Sequence, residues 1–241
     1  MAYMSGHSKW ATIKRQKGAN DMKRAYAFTK LSKAITIAVR QGGGVMDPDS
    51  NFRLRLAVEA ARAANMPKDN IQRAIDRANA KQSSSLEEAI YEGFGPGGFS
   101  VIVESLTDNK QRTVAEVKNI FDKNGGSMGN QGSVMYQFEK KGVITIEKQG
   151  KTLDDIFLVA AENEADDVED AGAEVLVYTM PDVLAKARDG LLKAGFVIKG
   201  AELTFQPTVT VQIADASGAE KALAFLDRLD SLDDVQKVYA N

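Results

Sequence analysis

The sequence predicts a multidomain α+β protein, in which an N-terminal helical domain is followed by two α+β domains, one inserted in the other. Charge and hydrophobic pattern both change near residue 82. Residues 1–82 hold sixteen basic and six acidic side chains, a net charge of +10, whereas residues 83–241 hold fifteen and twenty-seven, a net charge of −12. A chain polarised in this way typically uses one end to bind a polyanion.

The helical domain is predicted from three apolar stripes at helical spacing. The first runs over residues 23–40, with lysines and an arginine on the opposite side; its members are Phe28, Leu31, Ile35, Ala38 and Val39. Glycines at 42–44 break this helix, and a second stripe follows over residues 54–61. Pro67 suits the first turn of a third helix, because its missing N–H is not needed there.

The basic residues near the N-terminus are the candidate nucleic-acid contacts. Residues 1–40 contain nine Lys or Arg and a single acid, so few side-chain ion pairs can form within this segment. Trp10 can stack on a base or anchor a core. A solvated charged helix is the alternative interpretation. The predicted binding residues are Lys9, Trp10, Lys14, Arg15, Lys17, Lys23, Arg24, Lys30 and Lys33.

The acidic remainder reads as alternating strands and helices after a polar linker at residues 82–85. A strand–strand–helix pattern over 88–124 and a strand–helix–strand pattern over 208–240 complete each other as a split β-α-β unit of the ferredoxin-like type. Residues 134–206 have strands and helices of their own, beginning with an alternating strand over 134–138, and a similar alternation over 209–213 predicts the first strand of the 208–240 pattern. We therefore predict domains at 1–82, at 83–133 with 207–241, and at 134–206, both α+β domains being ferredoxin-like.

Two motifs resemble ligand sites but fail on context. Gly93, Gly95 and Gly98 match the glycine spacing of a dinucleotide loop, yet a strand rather than a helix follows, so a hairpin turn is favoured. The acidic run over 162–170 lacks the ligand spacing of a calcium loop and is predicted to be a solvated face.

A glycine-rich segment over residues 125–132 has two interpretations. Loops of this composition mostly connect domains. Glycine also lets a backbone approach a nucleic acid closely, which makes the segment a possible contact loop. The candidate residues for that role are Gly126, Met128, Gly129, Asn130 and Gly132.

Composition excludes several kinds of chemistry. The chain has no Cys and one His, so disulfides, Cys-based zinc sites and His-rich metal sites are ruled out. A hydrolase that uses His7 with a Ser and an Asp is the remaining enzymatic alternative, and we predict no enzyme activity, no cofactor and no metal. No apolar run is long enough to span a membrane and no secretory signal is visible, so a cytoplasmic protein is expected.

The motifs also resemble a known family. The segment Gly-His-Ser-Lys-Trp-Ala-Thr-Ile-Lys at 6–14 resembles the start of the YebC/PmpR-type family, as do Asn-Met-Pro-Lys-Asp-Asn-Ile at 65–71 and Glu-Gly-Phe-Gly-Pro-Gly-Gly at 92–98. Residues 126–133 depart from the sequence expected of many members. The resemblance implies three domains, the first all-helical, and a DNA-binding transcriptional regulator.

A second function is implied by the same resemblance. Relatives that include a mitochondrial translational activator act on translation at the ribosome. The alternative is therefore a ribosome-associated factor that binds ribosomal RNA and eases the synthesis of difficult sequences, such as proline-rich ones. Basic residues alone do not separate the two, because DNA and RNA offer the same phosphate charge.

Overall fold

The computed structural model describes residues 21–78, 86–213 and 215–241, with side chains from residue 26 onward. The predicted contacts Lys9, Trp10, Lys14, Arg15 and Lys17 lie outside the described residues, as does His7. The predicted linker at 82–85 lies outside them as well. Lys23 and Arg24 lie in a helix whose backbone is described, but their side chains are not.

Three helices form the N-terminal part: α1 (Asp21–Gln41), α2 (Phe52–Ala63) and α3 (Lys68–Arg77). Their buried side chains, among them Ile35, Leu54 and Ile71, make a core contributed by these helices and the short segments between them. Asn51 caps α2, since its side chain accepts the Leu54 N–H. Pro67 is the N-cap residue of α3, immediately before the first turn in which it was predicted. The predicted helical stripes are confirmed.

The rest of the chain is α+β, as predicted. Its elements are β1 (Glu87–Phe94), β2 (Ser100–Thr107), α4 (Lys110–Lys123), β3 (Ser127–Met128), β4 (Phe138–Glu147), α5 (Leu153–Glu162), β5 (Ala165–Asp170), β6 (Glu174–Thr179), α6 (Leu184–Lys193), β7 (Ile198–Pro207), α7 (Ala216–Asp230) and β8 (Val235–Ala240). The strands form two four-stranded sheets with orders β3-β1-β2-β8 and β5-β6-β4-β7.

The chain divides into two compact units, residues 1–139 with 207–241, and residues 140–206. In the first, one face of the sheet β3-β1-β2-β8 packs on α4 and α7 around Val101, Phe121 and Phe225. The Phe225 ring meets Phe121 edge-on, with ring centroids 5.1 Å apart. In the second unit the buried side chains include Ile144, Ile156 and Leu191.

Two predicted strands are wrong. Val134, Tyr136 and Phe138 alternate in polarity, yet residues Met135–Gln137 form a 3₁₀ helix and only Phe138 begins a strand. Residues 209–213, whose alternating apolar and polar side chains predict a strand, do not form one in the structure. The sheet gains the two-residue strand β3 beside β1 instead.

The β1–β2 connection is a hairpin turn, as favoured over a dinucleotide loop. The strands pair antiparallel from Glu87 with Thr107 to Phe94 with Ser100. The turn closes with the Gly98 N–H donating to the Gly95 carbonyl at 2.9 Å. Gly97 and Gly98 both have positive φ, a conformation that glycine adopts without strain.

Gly93 allows β3 to approach β1 closely. A β-carbon at this position would lie 2.5 Å from the Ser127 carbonyl oxygen and 2.6 Å from the Phe121 ring. We expect Gly93→Ala to lower the free energy of unfolding by roughly 2–3 kcal/mol, because Phe121 is fully buried and the Ser127 carbonyl belongs to the strand that pairs with β1. Gly200→Ala in β7 is the matched control, since nothing lies within 4 Å of its added carbon. Equal urea midpoints for the two variants would contradict this account of the packing.

Candidate nucleic-acid interface

The predicted binding residues whose side chains are described, Lys30 and Lys33, lie on α1 and contact acidic groups near the C-terminus. The Lys33 ammonium donates to Asp234 Oδ1 at 2.7 Å and to the Asp233 carbonyl at 3.0 Å. The Lys30 ammonium donates to the Asp230 carbonyl and lies 3.4 Å from that residue's carboxylate. Each lysine is therefore paired within the protein.

Asp234 is the centre of a buried polar cluster that joins the helical part to the sheet. Its side chain is only 3% exposed. Besides Lys33, it accepts from Arg112 Nη2 and from the Thr113 hydroxyl, both at 2.7 Å to Oδ2. The Thr107 hydroxyl lies 3.1 Å from the same oxygen. One carboxylate thus links α1, α4 and the end of β2.

Burial raises the pKa of the Asp234 carboxyl, but the hydrogen bonds that it accepts lower the pKa by more. Hydrogen bonds from Lys33, Arg112 and Thr113, together with the Lys33 charge, hold the pKa of this carboxyl well below its usual range. The Arg112 guanidinium is correspondingly favoured in its charged form, because Asp234 and Asp108 raise its pKa. The Asp234 carboxylate and the Arg112 guanidinium are therefore both charged at neutral pH.

A second group of cations, which the sequence prediction missed as binding residues, lies on α2 and α3. Its members are exposed and, within the part of the chain that the structure describes, lie more than 4 Å from every carboxylate; they are Arg53, Arg62, Lys68, Arg73 and Arg77. The signal was present in the sequence as basic residues outside the apolar stripes. The prediction took its candidates only from the dense basic run near the N-terminus.

The glycine-rich segment 125–132 is held in place by Glu92, a residue that the sequence prediction also missed. The side chain is buried, with 2% exposure, and accepts three backbone N–H groups. Gly132 donates to Oε1 at 2.7 Å, while Val134 and Met135 donate to Oε2 at 2.8 and 2.9 Å. The Glu92 carbonyl accepts the Gly129 N–H at 2.8 Å. This segment is therefore a hydrogen-bonded loop with a defined shape.

The candidate residues of that loop differ in their surroundings. Gly126 packs against β1, where an added β-carbon would lie 2.7 Å from the Phe94 carbonyl, and Met128 pairs with Gly93. Asn130 and Gly132 are exposed in a turn that the Ser133 N–H closes on the Asn130 carbonyl at 3.1 Å. Gly129 lies against Ser133. The exposed tip of the loop is thus the part able to meet a partner.

Tyr136 lies just beyond this loop and is 74% exposed. Its hydroxyl accepts from Gln137 Nε2 at 3.0 Å, which leaves the ring faces open to solvent. An exposed aromatic ring can stack on a nucleic-acid base. Loop tip and ring together form a second possible contact region, separate from the helical part.

The acidic run predicted as a solvated face forms β5 and its approach. Asp166 and Asp170 pair with Lys141 and Lys148 at 2.9 and 2.6 Å. Among residues 21–78, 86–213 and 215–241, no group of three or more acidic or His side chains is arranged to hold a metal ion. None of the helices described is long and apolar enough to cross a membrane.

These features define a class of α+β proteins in which a positively charged helical end precedes two sheet-containing parts. Family models for the TACO1/YebC N-terminal domain and for the TACO1/YebC second and third domain match residues 8–81 and 86–241. The chain belongs to this family, which confirms the resemblance seen in the sequence motifs.

Relatives of similar length support this assignment. Proteins from Roseiflexus castenholzii and Geobacter sulfurreducens, each named as a probable transcriptional regulatory protein, are 49% identical to this chain. The matches cover 99% of this chain and 94% and 95% of those proteins. The crystal structure of a conserved hypothetical protein from Aquifex aeolicus has a TM-score of 0.84 and 40% identity, and the match covers 92% of this chain and 90% of that one.

Proposed function

We propose that this protein is a non-enzymatic regulator that binds nucleic acid, and that it controls transcription by binding DNA. The observation that carries the proposal is the charge division: +10 over residues 1–82 and −12 over the rest. Its relatives from Roseiflexus castenholzii and Geobacter sulfurreducens are named as probable regulators of transcription, which supports this proposal. We further propose a cytoplasmic protein with the three-domain arrangement predicted above, in which the inserted α+β domain is ferredoxin-like.

The proposed phosphate contacts are the basic residues of the N-terminal segment, with Trp10 as a stacking residue. Lysine and arginine bind the backbone phosphates of DNA or RNA and release condensed counterions, so affinity falls as salt rises. Lys30 and Lys33 become available to phosphate only if they leave Asp230 and Asp234. Their place in the binding surface is therefore conditional on a competing polyanion.

Translation is the second candidate function, and the loop held by Glu92 favours it. A shaped, exposed loop beside an exposed tyrosine suits single-stranded or looped RNA, whose bases are open to stacking. In this case the target is ribosomal RNA. Crosslinking in cells, followed by sequencing of both DNA and RNA, separates the candidates: promoter DNA supports the first, and ribosomal RNA supports the second.

The N-terminal charge is tested by replacing Lys9, Lys14, Arg15 and Lys17 with Ala in the full chain. We expect weaker binding to every sequence and a salt dependence whose log–log slope falls by roughly 0.7–0.9 for each phosphate that is no longer neutralised. Circular dichroism should be unchanged, because cations that serve to bind phosphate contribute little to stability. Unchanged affinity and slope in a folded variant would show that this segment does not contact phosphate.

A further inference from the structure

Apart from Arg40 and Arg55, the described cations of the helical part fall into two groups with opposite electrostatic surroundings. On α1, Lys30 and Lys33 are paired with carboxylates, and both are at least three-quarters buried. On α2 and α3, the exposed cations lie more than 4 Å from every carboxylate of the described residues. The charge still open to a ligand therefore lies on α2 and α3.

Some of these arginines are held by neutral oxygen atoms. Arg73 Nε donates to the Asp69 carbonyl at 3.2 Å, and its Nη2 donates to the Asn70 side-chain amide oxygen. Arg53 Nη1 donates to the Gln41 amide oxygen at 2.7 Å. A guanidinium has five N–H donors, so such bonds orient the group, leave its charge uncancelled and leave donors for a ligand. Phosphate oxygens match that planar set of donors.

Helical position places two of these arginines on the outer side of α3, and a third lies shortly before that helix in the chain. In α3, Ile71, Ala74 and Ile75 are buried in the helical core, whereas Arg73 and Arg77 lie one turn apart on the opposite side. Arg62 is in the last turn of α2, and four residues connect it and Ala63 to α3. We call Arg62, Arg73 and Arg77 the outer arginine set.

Acidic residues are present nearby but do not cancel the charge. Asp69 and Asp76 also lie on the outer side of α3, where Asp76 accepts from Gln72 at 3.0 Å. Residues 52–78 hold six basic and three acidic side chains, a net charge of +3. The basic segment over residues 1–25 adds six basic and one acidic side chain. The outer arginine set thus belongs to a part of the chain whose net charge is positive.

We propose that the outer arginine set binds the phosphodiester backbone of a nucleic acid. Lys30 and Lys33 then bind α1 to Asp230 and Asp234. The arginines of α2 and α3 bind phosphates in addition to those bound by the N-terminal segment. The proposal rests on the proposed function and names a surface for it. Contact to backbone phosphate carries no sequence information, so the effect is the same for every sequence of one nucleic acid.

The test compares two triple variants of the full chain that change net charge equally. The first replaces Arg62, Arg73 and Arg77 with Gln. The matched control replaces Lys118, Lys193 and Lys221 with Gln, which are exposed cations of the acidic part. Affinity for one labelled DNA duplex and one structured RNA is measured at several salt concentrations. Circular dichroism and urea midpoints confirm that both variants are folded.

We expect the outer arginine variant to bind on the order of tenfold more weakly than the control at about 0.1 M salt. Its log–log salt slope should be smaller by about 2–3, since each phosphate that an arginine neutralises accounts for roughly 0.7–0.9. A loss of affinity confined to DNA or to RNA assigns the surface to that nucleic acid. A third variant, with Lys30 and Lys33 replaced by Gln, should keep the wild-type slope and lose urea resistance.

Two results overturn the inference, and they are distinguishable. If wild-type protein binds both nucleic acids but the two triple variants have the same affinity and slope, the outer arginine set does not contact phosphate, and the proposed function stands. If wild-type protein binds neither nucleic acid at low salt, the proposed function fails and the inference fails with it.

Discussion

Replacing Glu92 with Ala is expected to lower the free energy of unfolding by roughly 3–5 kcal/mol, the largest effect expected of any single substitution in this protein. The carboxylate is buried and accepts the N–H groups of Gly132, Val134 and Met135. Alanine would leave three N–H donors without this acceptor, the buried one of Val134 among them, and a water molecule entering the space could satisfy only part of them. Urea unfolding measures the decrease in stability.

Glu92→Gln should have a smaller effect of the same sign, because the amide keeps one acceptor oxygen but turns an NH₂ group toward backbone donors. Glu220→Gln, an exposed position on α7, is the control and should stay within about 0.5 kcal/mol of wild type. Hydrogen exchange at residues 132–135 should accelerate in the Glu92 variants alone. A decrease below about 1 kcal/mol for Glu92→Ala would show that Glu92 does not fix the loop.

Replacing Asp234 with Ala should cost roughly 3–4 kcal/mol at pH 7, because it removes the buried carboxylate that accepts from Arg112, Lys33 and Thr113 and leaves each cation with one acceptor fewer. Asp233 offers a matched control. Its side chain is exposed and only its backbone carbonyl contacts Lys33, so Asp233→Ala should be close to neutral. Equal urea midpoints for the two variants would contradict the anchoring role of Asp234.

The pH dependence of this difference has a definite sign. Because the folded-state pKa of Asp234 is depressed, its stabilisation is fully present above the pKa of the unfolded chain, about 3.9, and is lost as pH falls toward the folded value. The gap in unfolding free energy between wild type and Asp234→Ala should therefore be constant from pH 5 to pH 7 and shrink below about pH 4. A gap that widens on acidification would refute the ionised cluster.

The pattern of apolar residues and glycines along the chain predicted correctly those features that depend on a single helix or turn. The helical spacing of Ile35, Ala38 and Val39 predicted the face of α1 that is buried, and the glycines after β1 predicted a hairpin. The charge on the other face of α1 was equally visible. Its partners were not, because Asp230 and Asp234 lie about two hundred residues further along the chain.

The errors over residues 134–138 and 209–213 have the same kind of cause. Val134, Tyr136 and Phe138 alternate like a strand, but Glu92 takes the N–H groups of Val134 and Met135 that a neighbouring strand would need. The one sign of this in the sequence was the acidic residue Glu92 inside the predicted strand β1. Alternation alone does not reveal whether a neighbouring strand is free to pair, so the segment at 209–213 was assigned a strand that it does not form.

The helical end of the chain is the part that we expect to contact nucleic acid. Ultraviolet crosslinking of the full-length protein to bound DNA or RNA, with the modified peptides identified by mass spectrometry, tests this expectation directly. We predict crosslinked peptides within residues 1–82, including one that contains Trp10 and one from α2 or α3. Crosslinks confined to residues 86–241 would contradict the proposed function and would assign binding to the acidic α+β part.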